Sequence, residues 1–413
     1  MGNAFNNSVN LLFCLSRSML PRLIRPACAG LLSFALAAFA APYVPASDTQ
    51  VLERLPVKPG DPVARELRDL RTALAANPGN AKRADMLARR YFELAMAEGD
   101  PRYVGYAEAA LQQWNRQPDA FPTELRVVRA MLRQYKHDFP GALTDLAEAI
   151  KADPSQIEAH AWRAAIHMVQ ANYTQARSEC RALQRYSSEL FAAGCIAYID
   201  ATTGRTASAF DSLSTALQRY PDAPVSTRLW NLTRLAEMAH RLGEPHKAEK
   251  HFRDAIALDV TDNFLLAAYA DFLLAQNRPA EVIALLKSHV RSDTLLLRLA
   301  LAEKALGAAA AARHIQALED RFAAAALRGE QLHLQEEARF RLRLKGDPTG
   351  ALRIAVENWK TQREPRDAQI LIEASAAARN PAAAQSALEW LETSRFEDPV
   401  MLRLAAELRA MTK

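Results

Sequence analysis

The sequence predicts an all-α chain, folded as a right-handed solenoid of stacked antiparallel helix pairs. Three observations carry that expectation. A small residue recurs at one fixed place, as Ala107, Ala142, Ala176, Ala209, Ala248, Val282, Ala312, Ala351 and Ala383, and the first steps are 35, 34, 33, 39 and 34 residues. A larger apolar residue and a second small one follow on the same helix face, as in Ala142, Leu146 and Ala149, and a proline then closes the unit, as at Pro154 and Pro221. Glycine is scarce (14 of 413 residues), and no run of alternating β-branched residues appears. One helix hairpin cannot bury its apolar face alone, so neighbours must stack, each crossing closely where a small side chain sits at the contact.

Reading from the N-terminus, Arg17, Arg22 and Arg25 precede an apolar stretch from Ala27 to Ala41, which contains Ala38-Phe39-Ala40, a small-x-small cleavage pattern. The stretch is shorter than the roughly 20 residues of a spanning helix. Residues 1–40 therefore read as a secretory signal, with Met19 as a second start position, and no stable membrane span remains after cleavage. The alternative is an inner-membrane anchor formed by an uncleaved signal. Cys28, at the start of the apolar stretch, is misplaced for lipid attachment. Residues 41–61 form a linker rich in proline (Pro42, Pro45, Pro56, Pro59). A lone helix begins at Asp61-Pro62 and breaks at Asn77-Pro78-Gly79-Asn80.

The regular array spans residues 62–292. Glu98-Gly99-Asp100-Pro101 makes the inner turn of its first unit, and Phe121-Pro122-Thr123 opens the next. Extra residues are expected in loops near Tyr220–Thr227 and Ala324–Gly329. Residues 293–413 form degenerate repeats, in which Ala355 and Ala387 replace the bulky residue, ending in a polar capping helix from Asp398 to Met411.

The small, bulky, small and proline positions, as in Ala209, Leu213, Ala216 and Pro221, resemble the tetratricopeptide repeat (TPR) from about Asn80 to Val290. The signature Trp and Tyr of the first helix are mostly absent, and His160 and His167 occupy those places in one copy. The resemblance implies that first helices line a concave groove. In that register Tyr135, Tyr198, Trp230 and Phe264 face the groove, beside Gln134, Glu237, Arg241 and Asp271. Aromatic anchors with a few charges suit a peptide- or helix-binding surface; the other reading of each aromatic is packing between repeats. The carboxylate clamp of chaperone-binding TPR domains needs Lys and Asn where this chain has Val127, Ala161, Gly194 and Thr233, then Met131, Ala165, Tyr198 and Glu237. Chaperone-tail binding is not implied.

No phosphate loop, nucleophile elbow or zinc-helix motif appears, so neither catalysis nor a cofactor is expected. His240, His246 and His251 are spaced by six and five residues, which puts no pair on one helix face, and they read as solvated. His160 and His167 read as helix contacts, and no metal site is expected. Removing residues 1–40 lowers Lys+Arg from 52 to 49 against 47 acids, so net charge falls from +5 to +2 and gives no nucleic-acid footprint. Cys180 and Cys195 fall on helices that should be neighbours. They read either as a disulfide in an oxidising compartment or as two small buried residues. The expected function is a non-catalytic scaffold or adaptor of the bacterial envelope, periplasmic or secreted, holding a protein or peptide. The alternative is a structural subunit of an envelope export or polysaccharide assembly complex.

Overall fold

The structure, a computed structural model, describes residues 47, 49–50, 60–116, 121–330 and 332–411. The expected signal at 1–40 and nearly all of the linker at 41–61 lie outside the described residues. The chain divides into two units, Met1–Lys58 and Pro59–Lys413. Of the first, only a small turn is described, in which Gln50 N donates to Ser47 O at 3.1 Å.

The second unit contains helices and, among the described residues, no strand. It opens with α1 (Pro62–Ala76), where Asp61 caps the N–H groups of Val63 and Ala64 and proline takes the first position. Pairs then follow in sequence: α2 (Ala81–Glu98) with α3 (Arg102–Asn115), α4 (Arg126–Tyr135) with α5 (Phe139–Ala152), α6 (Ile157–Val169) with α7 (Tyr173–Tyr186), and α8 (Glu189–Thr202) with α9 (Thr206–Arg219). Next come α10 (Val225–Arg241) with α11 (Pro245–Ile256), α12 (Asn263–Ala275) with α13 (Pro279–Leu286), and α14 (Asp293–Ala305) with α15 (Ala311–Leu327). The last pairs are α16 (Leu334–Phe340) with α17 (Pro348–Trp359) and α18 (Pro365–Ala377) with α19 (Gln385–Ser394), and α20 (Pro399–Ala410) closes the array. No described helix is long and apolar enough to cross a membrane.

The repeat logic holds in the core. Ala107, Ala142, Ala176, Ala209, Ala248, Val282 and Ala351 are all buried. Two positions depart from the expected register. Ala312 is exposed, because the buried face of α15 runs through Ile315, Leu318 and Phe322, one residue out of phase with it. At the other, Ala384 rather than Ala383 is buried, at the end of a short 3₁₀ turn (Pro381–Ala384) that precedes α19. The extra residues near Ala324 lengthen α15 to Leu327 instead of making a loop; a run of alanines has strong helix propensity. At Asp293, where the degenerate repeats are expected to start, α14 begins, and one apolar cluster runs from Leu229 to Leu344 across it.

Ion pairs add to the helix contacts. Asp145 of α5, 1% exposed, accepts from Arg126, Arg129 and Arg133 along one face of α4. Between α8 and α10 the helices approach so closely that a Cβ on Gly194 would meet Trp230 Cζ3 at 2.5 Å. Glycine is required there by space, not by backbone angle.

The array curls until distant parts meet. Trp390 Nε1 donates to Tyr173 Oη at 2.8 Å, Arg363 N to Val169 O at 2.7 Å, and Thr206 N to Glu397 Oε2 at 2.8 Å. Gly204, at φ +78°, lies against Arg395. Elsewhere Asn263 Nδ2 donates to Met96 O at 3.2 Å, and Arg291 pairs with Glu98 at 3.4 Å. The C-terminal repeats therefore rest on the inner side of α6–α10, and the superhelix is closed upon itself.

Candidate functional site

The concave face of α8, α10, α12 and α14 and the inward face of α16, α18 and α20 enclose one chamber of about 610 Å³. Five of the residues assigned to a groove from the sequence line it: Tyr198, Phe264, Glu237, Arg241 and Asp271. They lie on the inner face of the repeats, and the surface they form is covered in large part by the chain's own C-terminal repeats.

The other three, Gln134, Trp230 and Tyr135, do not line the chamber. Trp230 shares the inner stripe of α10 but sits near its N-terminal end, beyond the chamber. It packs between repeats, with its ring 5.8 Å from that of Phe191 and its edge over Gly194. Tyr135 also packs between repeats, edge-on to Phe92 at 6.4 Å. Burial, with smaller contributions from Asp100, Asp293 and Glu330, pushes its hydroxyl up to about 12.

Inside the chamber, arginines and aromatic rings alternate. The Arg234 guanidinium lies 4.5 Å from the Tyr198 ring centre and 4.2 Å from that of Phe264. Arg366 of α18 stands over the Phe264 ring at 5.0 Å, and Arg241 over Phe396 at 4.5 Å. Each contact sets a delocalised cation on a negative ring face. Tyr198 Oη donates to Glu364 Oε1 at 3.3 Å, and burial raises its hydroxyl above the usual range.

Asp271 ties three helices together. Its Oδ2 accepts from Arg298 Nη2 of α14 at 2.6 Å, and its Oδ1 from Arg339 Nη1 of α16 at 2.7 Å. Burial alone would raise its pKa, but the two guanidinium groups outweigh that and hold it at about 2. Arg298 is 2% exposed.

No group of three or more His, Cys, Asp or Glu residues suited to a metal occurs among the described residues. Of the histidines expected to be solvated, only His246 is exposed. His240 packs edge-on to Phe272 at 5.4 Å and His251 against Phe210 at 5.8 Å, and burial lowers the pKa of both. Their spacing kept them off one shared helix face but did not keep them in water. His160 is a helix contact, with Nδ1 2.6 Å from Glu179 Oε2 of α7. Cys180 of α7 and Cys195 of α8 face each other with Cα atoms 5.6 Å apart and their sulfurs at bonding distance.

The sequence reading missed Arg234, Arg298, Arg339, Arg366 and Phe396. Arg234 lies on a first helix of the regular array and was open to the same register projection. The others come from repeats too degenerate for that projection.

No family model and no curated protein sequence matches the chain. Among solved structures it is similar to the Cut9–Hcn1 hetero-tetramer of the APC/C, with TM-score 0.51 and 15% identity over 85% of this chain and 67% of that one. It also aligns with yeast Tom70, at TM-score 0.39 and 17% identity over 83% of this chain, spanning 61% of that chain's length. A third alignment, to the TPR domain of P58(IPK), has TM-score 0.21 and 14% identity over 85% of this chain and 93% of that one. Of these, the first superposes well enough to bear on the fold. The fold is a TPR-like all-α solenoid.

Proposed function

We propose that this TPR-like solenoid is a non-catalytic protein-interaction scaffold. Its partner is a protein or peptide segment gripped by the concave residues Tyr198, Phe264, Glu237, Arg241 and Asp271. Export, by the signal expected at residues 1–40, puts it in the periplasm or outside the cell. The observation that carries the proposal is the convergence of these five side chains, from three successive first helices, on one lumen. Repeat proteins use such inner surfaces to hold partners.

In the closed form the chamber, at about 610 Å³, has the volume of a small-molecule pocket. A partner segment reaches the concave wall when α18–α20 swing off it at the seam where Gly204 meets Arg395. The test locks that seam. Cysteines at positions 205 and 395 (Arg205→Cys with Arg395→Cys) are bridged by a short bismaleimide, and the full chain is used to recover partners from envelope extract. Recovery should be lost in the bridged protein and retained in each single-cysteine control. Equal recovery from bridged and unbridged protein refutes the concave-wall proposal.

The second reading, a structural subunit of an envelope assembly, is favoured by the closure itself, because a covered inner wall leaves the ends and the convex side as contact surfaces. Equal recovery together with fixed-ratio copurification in one complex would select it.

A further inference from the structure

We infer that the chamber is a binding site for a small organic anion with an apolar body, seated between α10, α12 and α18.

The sign of the ligand's charge follows from which chamber groups are already paired. Glu237 is paired with Arg234 at 2.9 Å, Asp271 with Arg298 and Arg339, and Glu373 with Arg343 at 2.7 Å. Asp398 accepts from the N–H groups of Val400 and Met401, both at 2.9 Å. Glu364 takes the Tyr198 hydroxyl at 3.3 Å. Every carboxylate of the chamber is therefore engaged.

Two of its arginines are not matched in this way. Among the described residues, no carboxylate lies within 4 Å of Arg241, whose one hydrogen bond is from Nη1 to Ala201 O at 3.0 Å. Arg366 has its nearest carboxylate, Glu364, at a loose 3.9 Å. Between them, Arg234 Nε is buried without an acceptor, on a residue 7% exposed. A guanidinium carries five N–H donors in a planar fork suited to two oxygens of a carboxylate or phosphate. Taking such a cation out of water without a counter-charge costs several kcal/mol; that applies to Arg241, and an oxyanion there serves it as counter-charge while giving Arg234, already paired with Glu237, and the 36%-exposed Arg366 a further acceptor. Burial lowers the pKa of Arg241 despite the nearby Glu237 and Asp398, as expected of a cation lacking its counterpart, whereas at Arg366 burial is outweighed by the charges of Glu364, Glu237 and Asp367, which raise it.

The rest of the ligand is apolar, because Phe264, Phe272, Leu301 and Ile370 form much of the remaining wall. The volume of about 610 Å³ falls within the range of pockets that hold drug-sized molecules. Bound there, the ligand touches the concave wall and α18 together, so it favours the closed form and competes with any partner that needs the open one. The site does not depend on the existence of such a partner.

The test titrates the full chain with 3-phenylpropionate, phenyl phosphate and 3-phenylpropan-1-ol, read by calorimetry and by the shift in thermal midpoint. One or both anions should bind saturably with one site per chain and raise the midpoint, while the alcohol does neither. The stronger anion identifies the head group as carboxylate or phosphate. Arg241→Gln with Arg366→Gln should weaken anion binding by roughly tenfold or more, while Arg253→Gln, whose arginine is exposed on α11 outside the chamber and paired with Glu249, leaves it unchanged. In the unmodified protein, affinity should also fall as salt rises, a readout that needs no variant to fold. The inference is overturned if neither anion binds up to its solubility limit, if the alcohol binds equally well, or if a folded Arg241→Gln/Arg366→Gln protein binds as the original does.

Discussion

Asp271→Asn should loosen the inner wall of the superhelix. The substitution keeps shape and removes the charge that Arg298 of α14 and Arg339 of α16 share. Arg298 is 2% exposed, and Asp271 is the one carboxylate within 4 Å of it among the described residues. Stranding a fully buried ion in this way costs roughly 3–5 kcal/mol. Asp271, however, keeps 36% of its side chain open to the chamber, so water offsets part of the loss, and about 2 kcal/mol is expected. A second estimate agrees in order of magnitude. A fall in pKa from 3.8 to about 2 corresponds to about 2 kcal/mol at 1.36 kcal/mol per pKa unit, and to about half that after the same allowance for exposure. The sign with pH is fixed. The folded pKa lies below the unfolded one, so this contribution is complete above about pH 4 and fades as pH falls toward 2. Urea midpoints followed by far-ultraviolet circular dichroism at pH 7, 5, 4 and 3 measure it. A difference between the two proteins under about 0.5 kcal/mol at pH 7, or one that stays constant down to pH 3, would refute the assignment of Asp271 as the tie among α12, α14 and α16.

Three further outcomes are expected. Gly194→Ala should lower the thermal midpoint, by about 1–3 kcal/mol of stability, because the new methyl overlaps Trp230 and Asn231; Gly105→Ala, which meets nothing within 4 Å, should raise it slightly. Ala209→Leu, at a position 3% exposed between α8 and α9, should cost about 1–3 kcal/mol, and an unchanged urea midpoint would remove Ala209 from the helix crossing. Protein without residues 1–40, unfolded in denaturant and exposed to maleimide, should label neither Cys180 nor Cys195 until reductant is added, with a mass gain of two adducts afterwards; labelling of both without reductant would show free thiols.

What could be read in the sequence depended on how local the deciding forces were. Helix ends with explicit chemistry were legible, such as the Asp61 cap with Pro62 behind it or Asp398 with Pro399, because the cap and its target N–H groups lie within three residues of each other. The concave register at Tyr198, Glu237, Arg241, Phe264 and Asp271 was legible because one period fixes it. At Ala312 the same projection failed, since nothing local distinguishes one alanine from the next within an alanine run. Trp230 was misassigned for a geometric reason: position along a helix decides whether a residue on the correct stripe reaches the lumen. The closure could not be read at all. Tyr173 and Trp390, or Phe264 and Arg366, meet only after every intervening repeat has added its rotation, and no spacing in the sequence records that sum.

A linear stack of repeats touches only its neighbours and can fray one hairpin at a time from either tip. Here the hydrogen bond from Trp390 to Tyr173 spans 217 residues, that from Thr206 to Glu397 spans 191, and that from Asn263 to Met96 spans 167. Melting the last helices therefore strips contacts from the middle of the array as well. The molecule should come apart in one concerted step, and shortening it from the C-terminus by even a single pair should cost far more than that pair's own share.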